Sequence, residues 1–261
     1  MRVSLDLSLQ KLRTNYIDIF YLHWWDYTVS ISELMHSLNN LVVAGKVLYL
    51  GISDSPAWVV AKTNQYARDN GLAQFSVYQG LWNASIRDFE REIIPMCRHE
   101  GMGLVSWGTL GQGRFQTEAG HKEREKNSPG RKVAPTEDEK RVSKALEAIA
   151  NSKETNITSV ALAYVRHKAP YVFPIVGGRK VEHLPGNIAA LDLSLSAEEI
   201  AQIEAAYSFD HGFPHTFLSG TSFERSSSRA PDDPGDVWLT RLMGNFDWIK
   251  SEEAIEVTNR G

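Results

Sequence analysis

The chain has 261 residues, 42% of them apolar and 23% charged, enough to bury a sizeable core, with one domain as the default. A formal charge of −4 and a pI near 6.1 exclude a general attraction to phosphate backbones or anionic membrane, so any phosphate site must be local and no nucleic-acid partner is expected. Cys97 is the only cysteine, no apolar run approaches the roughly 18 residues of a membrane span, and Met1-Arg2 leads into no signal-peptide core; together these read as a soluble cytoplasmic protein.

In chain order, five short runs rich in β-branched and aromatic residues are expected as strands: Ile17 to His23, Val47 to Ser53, Phe75 to Gln79, Gly103 to Trp107 and Tyr171 to Val176. Their nearly continuous apolarity suits strands covered on both faces, as in a parallel sheet. Helical patterns fill the gaps. Ser32 to Ala44 places Leu34, Met35, Leu38, Leu41 and Val42 on one face and stops at Gly45; Pro56 to Asn70 and Phe89 to Glu100 repeat the plan before Gly71 and Gly101. Repeating strand, loop and helix fits either an open doubly wound sheet or a closed eight-stranded barrel. His23, Ser53-Asp54, Gln79 and Trp107 fall at the C-terminal ends of successive strands, the rim where barrel enzymes keep their chemistry.

Two stretches interrupt the plan. Gly111 to Pro135 is polar, charged and long for a βα loop, so it reads as either a functional lid or a disordered insertion. The tail from Phe209 to Gly261 mixes Ser, Pro and Gly with Phe213, Phe217, Trp238 and Trp248, aromatics that argue against a wholly disordered end. Cys97, in an apolar run with no activating histidine pattern, is expected to be buried and structural. The histidines have no metal-like spacing, so no metal site is expected.

The run Ser8 to Asp26, ending in Tyr21-Leu22-His23-Trp24-Trp25-Asp26, resembles the helix-to-fourth-strand signature of the aldo-keto reductase superfamily, most closely its fungal branch of aryl-alcohol dehydrogenases and norsolorinic acid reductase-like enzymes. Gly45 to Asp54 resembles the family strand whose terminal pair, here Ser53 and Asp54, touches the nicotinamide carboxamide. Asp54 stands where asparagine is frequent, and an ionised carboxylate accepts but does not donate, which makes Ser53 the better-founded contact. Gln79 matches the glutamine beside the carboxamide. Trp107 matches the aromatic stacked on the nicotinamide ring, and Thr109, Leu110, Gly111, Gly113 and Arg114 match the loop over the pyrophosphate. Backbone donors and a fixed charge suit phosphate there, although in isolation Trp107 and Arg114 read as a core tryptophan and a solvated arginine. Gly177, Gly178, Arg179, Lys180, His183 and Asn187 resemble the eighth-strand exit that grips the adenosine 2′-phosphate, which implies NADP(H) rather than NAD as cofactor. Two adjacent cations entering a helix N-terminus suit a dianion. Pro185-Gly186 interrupts that helix pattern and is expected to displace the Asn187 contact.

The resemblance, over about residues 2 to 220, implies an α/β fold of the (β/α)8 TIM-barrel type, incomplete, with strands four to eight present and strands one to three missing. It implies a partial barrel over 1–206 and a tail over 207–261 partly covering its mouth, with Trp24, Trp25, Phe213 and Phe217, together with His211 and His215, lining a substrate pocket. The implied activity is NADP-dependent interconversion of aryl or polyketide-derived aldehydes and ketones with alcohols. In the family a tyrosine, a lysine and an aspartate on the first three strands act with the histidine, so the match leaves His23 as the one catalytic group; Tyr21 lies deeper on the same side and Tyr27 past the rim, and neither is placed as a substitute acid. The short form is then expected to be weakly active or a catalytically dead NADP(H)-binding chain, with a homo-oligomer as one way to cover open barrel edges.

Overall fold

A computed structural model of the chain describes residues 1–127, 134–178, 181, 183–221, 231, 233–244 and 247–255. It divides into two compact units, Met1–Gly80 with Glu92–Val105, and Leu81–Arg91 with Ser106 onward.

The first unit holds α1 (Arg2–Leu12), β1 (Ile17–Leu22), α2 (Ile31–Val43), β2 (Val47–Ser53), α3 (Ala57–Asp69), β3 (Phe75–Leu81), α4 (Ile93–Glu100) and β4 (Gly103–Trp107), with the last residues of β3 and β4 passing into the second. The strands form one sheet in the order β1-β2-β3-β4, and β1–β2 and β2–β3 pair in parallel. Each helix forms where the apolar spacing predicts it. Ser30 caps α2 by accepting the Glu33 N–H at 3.2 Å, and the face carrying Leu34, Met35 and Leu38 is buried. Asn64, fully buried on α3, donates to the Phe75 carbonyl at 3.1 Å and accepts the Phe75 N–H at 2.9 Å, which fixes where β3 begins. Cys97 is buried among the apolar residues of α4, and burial, reinforced by the Glu100 charge, pushes its thiol pKa up.

The second unit is helical: α5 (Glu118–Asn127), α6 (Glu137–Ser152), α7 (Ile157–Lys168), α8 (His183–Ala189), α9 (Ala197–Ala205), α10 (His215–Leu218) and α11 (Trp238–Met243). Thr136 and Ser196 start α6 and α9 with reciprocal capping boxes to Glu139 and Glu199. α7 buries every residue from Ser159 to Val165. Under it lies an ion cluster. Arg87 Nη2 lies 2.6 Å from Glu90 Oε2, Lys168 Nζ lies 3.2 Å from the same oxygen and 2.5 Å from Glu204 Oε1, and the Tyr164 hydroxyl donates to Glu90 and Glu204 at 3.3 and 3.1 Å.

The structure corrects three expectations. Tyr171 to Val176 forms no strand: Pro174 has no N–H to give a ladder, while Ile175 N–H donates to the Ser106 carbonyl of β4 at 2.8 Å. Among the described residues, four strands therefore stand where five were expected. Phe89 to Glu100 is a 3₁₀ turn, Asp88–Glu90, followed by α4 rather than one helix. Pro185-Gly186 does not stop α8, because Pro185 falls in the first turn, where its missing N–H has no intrahelical partner. Within 111–135, Glu118–Asn127 is helical, and residues 128–133 lie outside those described.

Candidate functional site

On the first unit, the parallel register sets the strand ends side by side. Tyr21 pairs with Gly51, Leu22 with Ile52, and Ser53 with Gln79, so His23 follows the end of β1 while Ser53 closes β2 beside Gln79 of β3. Alternation puts Tyr21, His23, Gly51, Ser53, Val77 and Gln79 on one face. The loop after β2 is held firmly. The Asp54 N–H donates to the Gln79 carbonyl at 3.0 Å, and the buried Tyr78 hydroxyl donates to the Ser55 carbonyl at 2.7 Å while accepting the Ser55 N–H at 3.0 Å. Burial pushes the Tyr78 phenol pKa up, so it stays a neutral structural donor.

Ser53 is 4% exposed and donates to Asp54 Oδ2 at 3.2 Å. Asp54 itself has φ 41°, in the left-handed region that asparagine and aspartate tolerate best. Asparagine would meet the same backbone need. His23 is exposed, with its ring tilted against Trp24 at a centroid separation of 4.7 Å. Trp25 meets Tyr27 edge-on at 6.4 Å. The Asp26 carboxyl is held below its usual pKa by the backbone N–H of Thr28, with the Thr28 hydroxyl adding to it, which fixes the turn after the two tryptophans.

On the second unit, the loop after β4 runs through Trp107, Thr109, Leu110, Gly111, Gly113 and Arg114. The Trp107 carbonyl accepts the Trp82 N–H at 3.3 Å, and Asn83 Nδ2 donates to the Gly108 carbonyl at 3.0 Å. Thr109 is buried and shares its hydroxyl hydrogen with Ser106 across 2.9 Å. Gly113 has φ 85°, and a Cβ there would sit 2.6 Å from Arg124 Nη1, which donates to the Gly113 carbonyl. Arg114 lies across the same loop, with Nη1 donating to Gln112 Oε1 at 3.0 Å and Nε 3.5 Å from Glu139. A backbone with successive left-handed residues and two arginines beside it is chemically suited to a phosphate group.

Gly178 and His183 are brought together: a Cβ on Gly178 would meet His183 Cβ at 2.7 Å. Asn187 is half-buried within α8, and Gly177 is exposed. Arg179 and Lys180, the cations expected to hold the 2′-phosphate, lie outside the described residues. Phe213 is exposed and Phe217 sits 6.4 Å from it. His211 departs from the expected pocket lining: it is buried, edge-on to Phe209 at 4.8 Å and 4.0 Å from Glu90. Asn83, Tyr78 and Arg124 are positioning groups that the sequence did not mark, since each acts through a turn or loop rather than a recognisable motif.

Parallel strands alternating with helices, with polar residues collected at the strand ends, define an α/β protein. A solved thermostable aldo-keto reductase in complex with the inhibitor epalrestat shares this fold, at a TM-score of 0.64 and 23% identity, over 78% of this chain and 65% of that one. A profile of the Aldo/keto reductase family matches residues 1–208. The chain belongs to that family. It is 64% identical to norsolorinic acid reductase B of Dothistroma septosporum over 98% of its own length, and 52% identical to aryl-alcohol dehydrogenase [NADP(+)] of Phanerodontia chrysosporium over 85%. The chain spans 65% and 60% of the lengths of these two relatives. Among the described residues, no helix is long and apolar enough to cross a membrane.

Proposed function

We propose that the chain serves an NADP-dependent oxidoreductase that interconverts aryl or polyketide-derived aldehydes and ketones with their alcohols. The observation that carries this reading is the juxtaposition of His23, just past β1, Ser53, the last residue of β2, and its register partner Gln79 near the end of β3, within a chain 64% identical to a norsolorinic acid reductase.

On each unit taken by itself, the donors suit one part of a dinucleotide. The left-handed backbone at Gly111 and Gly113, with Arg114 alongside, suits the pyrophosphate, and the buried Ser53 hydroxyl with the Gln79 amide suits a carboxamide. NADPH, when bound, supplies the hydride. Ser53, Asp54 and Gln79 would orient its carboxamide, Trp107 would stack on its ring, and Thr109, Leu110, Gly111, Gly113 and Arg114 would hold its phosphates. Gly177, Gly178, Arg179, Lys180, His183 and Asn187 would hold the adenosine end. His23 would donate a hydrogen bond to the substrate carbonyl oxygen, polarising it as negative charge develops there. Trp24, Trp25, Phe213 and Phe217 would present apolar surface to an aromatic substrate.

The test is aldehyde-dependent oxidation of NADPH, with NADH alongside. Oxidation that is faster with NADPH and falls about a hundredfold in His23→Ala supports the reading, that being the scale for removing one oxyanion donor. Saturable NADPH binding with no oxidation of any aryl aldehyde would overturn turnover and leave a nucleotide-binding chain.

A further inference from the structure

Tyr21 is the penultimate residue of β1, two residues before His23 on the same face. Its partner on β2 is Gly51, and a Cβ built there would lie 2.5 and 2.6 Å from the Tyr21 ring carbons Cε1 and Cδ1. The phenol ring therefore lies flat across β2 at the one position of that strand without a side chain. Every other residue would drive it away. The backbone is also irregular here: the β2–β3 register shifts between Leu50 and Gly51, so that Gly51 faces Val77 and Ser53 faces Gln79. Register and alternation place the Tyr21 ring on the face of the sheet that Gln79 shares. Burial raises the Tyr21 pKa, and a side-chain hydrogen bond from Gln79 offsets part of that rise.

We propose that Tyr21, seated on Gly51, is a positioning residue that aims the Gln79 carboxamide at the nicotinamide end of the cofactor. A free glutamine side chain rotates about three bonds and can present either its oxygen or its nitrogen; a hydrogen bond to a hydroxyl held on a strand restricts it to one presentation. The inference rests on the cofactor reading above and assigns Tyr21 an indirect part in it, with no proton transfer to substrate.

The experiment uses the full chain and Tyr21→Phe, which keeps the ring on Gly51 and removes the hydroxyl alone. Binding of NADPH is compared with binding of 2′,5′-adenosine bisphosphate, a fragment that has the adenosine phosphates and no nicotinamide. Tyr21→Phe should weaken NADPH about three- to tenfold, the scale of one hydrogen bond, and leave the fragment unchanged. In a Gln79→Ala background the same substitution should have no further effect on NADPH. Equal weakening of both ligands, or an undiminished effect without Gln79, would show a general structural role and overturn the inference. Unaltered NADPH binding in Tyr21→Phe would also overturn it while leaving the cofactor reading in place. If the unsubstituted chain binds the fragment and NADPH not at all, both readings fall together.

Discussion

Replacing Glu90 by glutamine removes one charge from an enclosed cluster while keeping the side chain's shape. Glu90 is 7% exposed, accepts from Arg87 Nε at 2.9 Å and Nη2 at 2.6 Å, and has Lys168 at 3.2 Å. Burial alone would raise its pKa, but the Arg87 hydrogen bonds and the Lys168 charge outweigh it and hold the carboxyl at about 2. A fall from 4.5 to about 2 corresponds to about 3 kcal/mol favouring the folded, ionised state. Breaking a buried pair from one side costs about 3–5 kcal/mol by comparison, since Arg87 and Lys168 would be left with Glu204 as their carboxylate. Because the folded pKa is depressed, the stabilisation is fully present above about pH 4.5 and is lost as the pH falls toward about 2. Glu90→Gln should therefore be about 3 kcal/mol less stable at pH 7 and about equal to the unsubstituted chain near pH 2. Urea unfolding followed by hydrogen exchange of α7 measures this. A difference below about 1 kcal/mol at pH 7, or one that persists unchanged at pH 2, would refute the electrostatic argument.

Cys97, 1% exposed with its thiol pKa pushed up by burial, should react with a thiol reagent slowly in the native protein and rapidly in urea; rapid native modification would contradict its placement. Thr136→Ala should cost about 1 kcal/mol by unmaking the α6 capping box, with Thr136→Ser near neutral, as read from exchange of the first amides of α6. Gly51→Ala should destabilise the chain by about 1–3 kcal/mol through the Tyr21 ring, and Tyr21→Ala should recover much of that loss; thermal melts of the single and double variants decide it.

The first four strands and α2 and α3 were legible because composition and period agree there: helices stop at Gly45, Gly71 and Gly101 just before strand-like runs, and Leu34, Met35 and Leu38 repeat at helical spacing. Tyr171 to Val176 misled because its apolar content is strand-like while Pro174 removes a ladder donor. Pro185 misled in the opposite direction, since proline breaks a helix interior and is accommodated in the first turn. At the candidate site, His23, Ser53 and Gln79 were marked by their place at strand ends. The role proposed for Tyr21 had no such mark: it depends on a glycine one strand away and a register shift, and neither can be read from the residues around it. His211 was equally opaque, because its burial beside Glu90 depends on partners far apart in the chain.

Titration of the purified chain with NADPH and NADH, followed by tryptophan fluorescence and thermal melting, tests the proposed dinucleotide site most directly. Saturable quenching with a raised melting temperature, stronger for NADPH than for NADH, is the predicted result. A folded chain whose fluorescence and melting temperature respond to neither nucleotide would contradict the account.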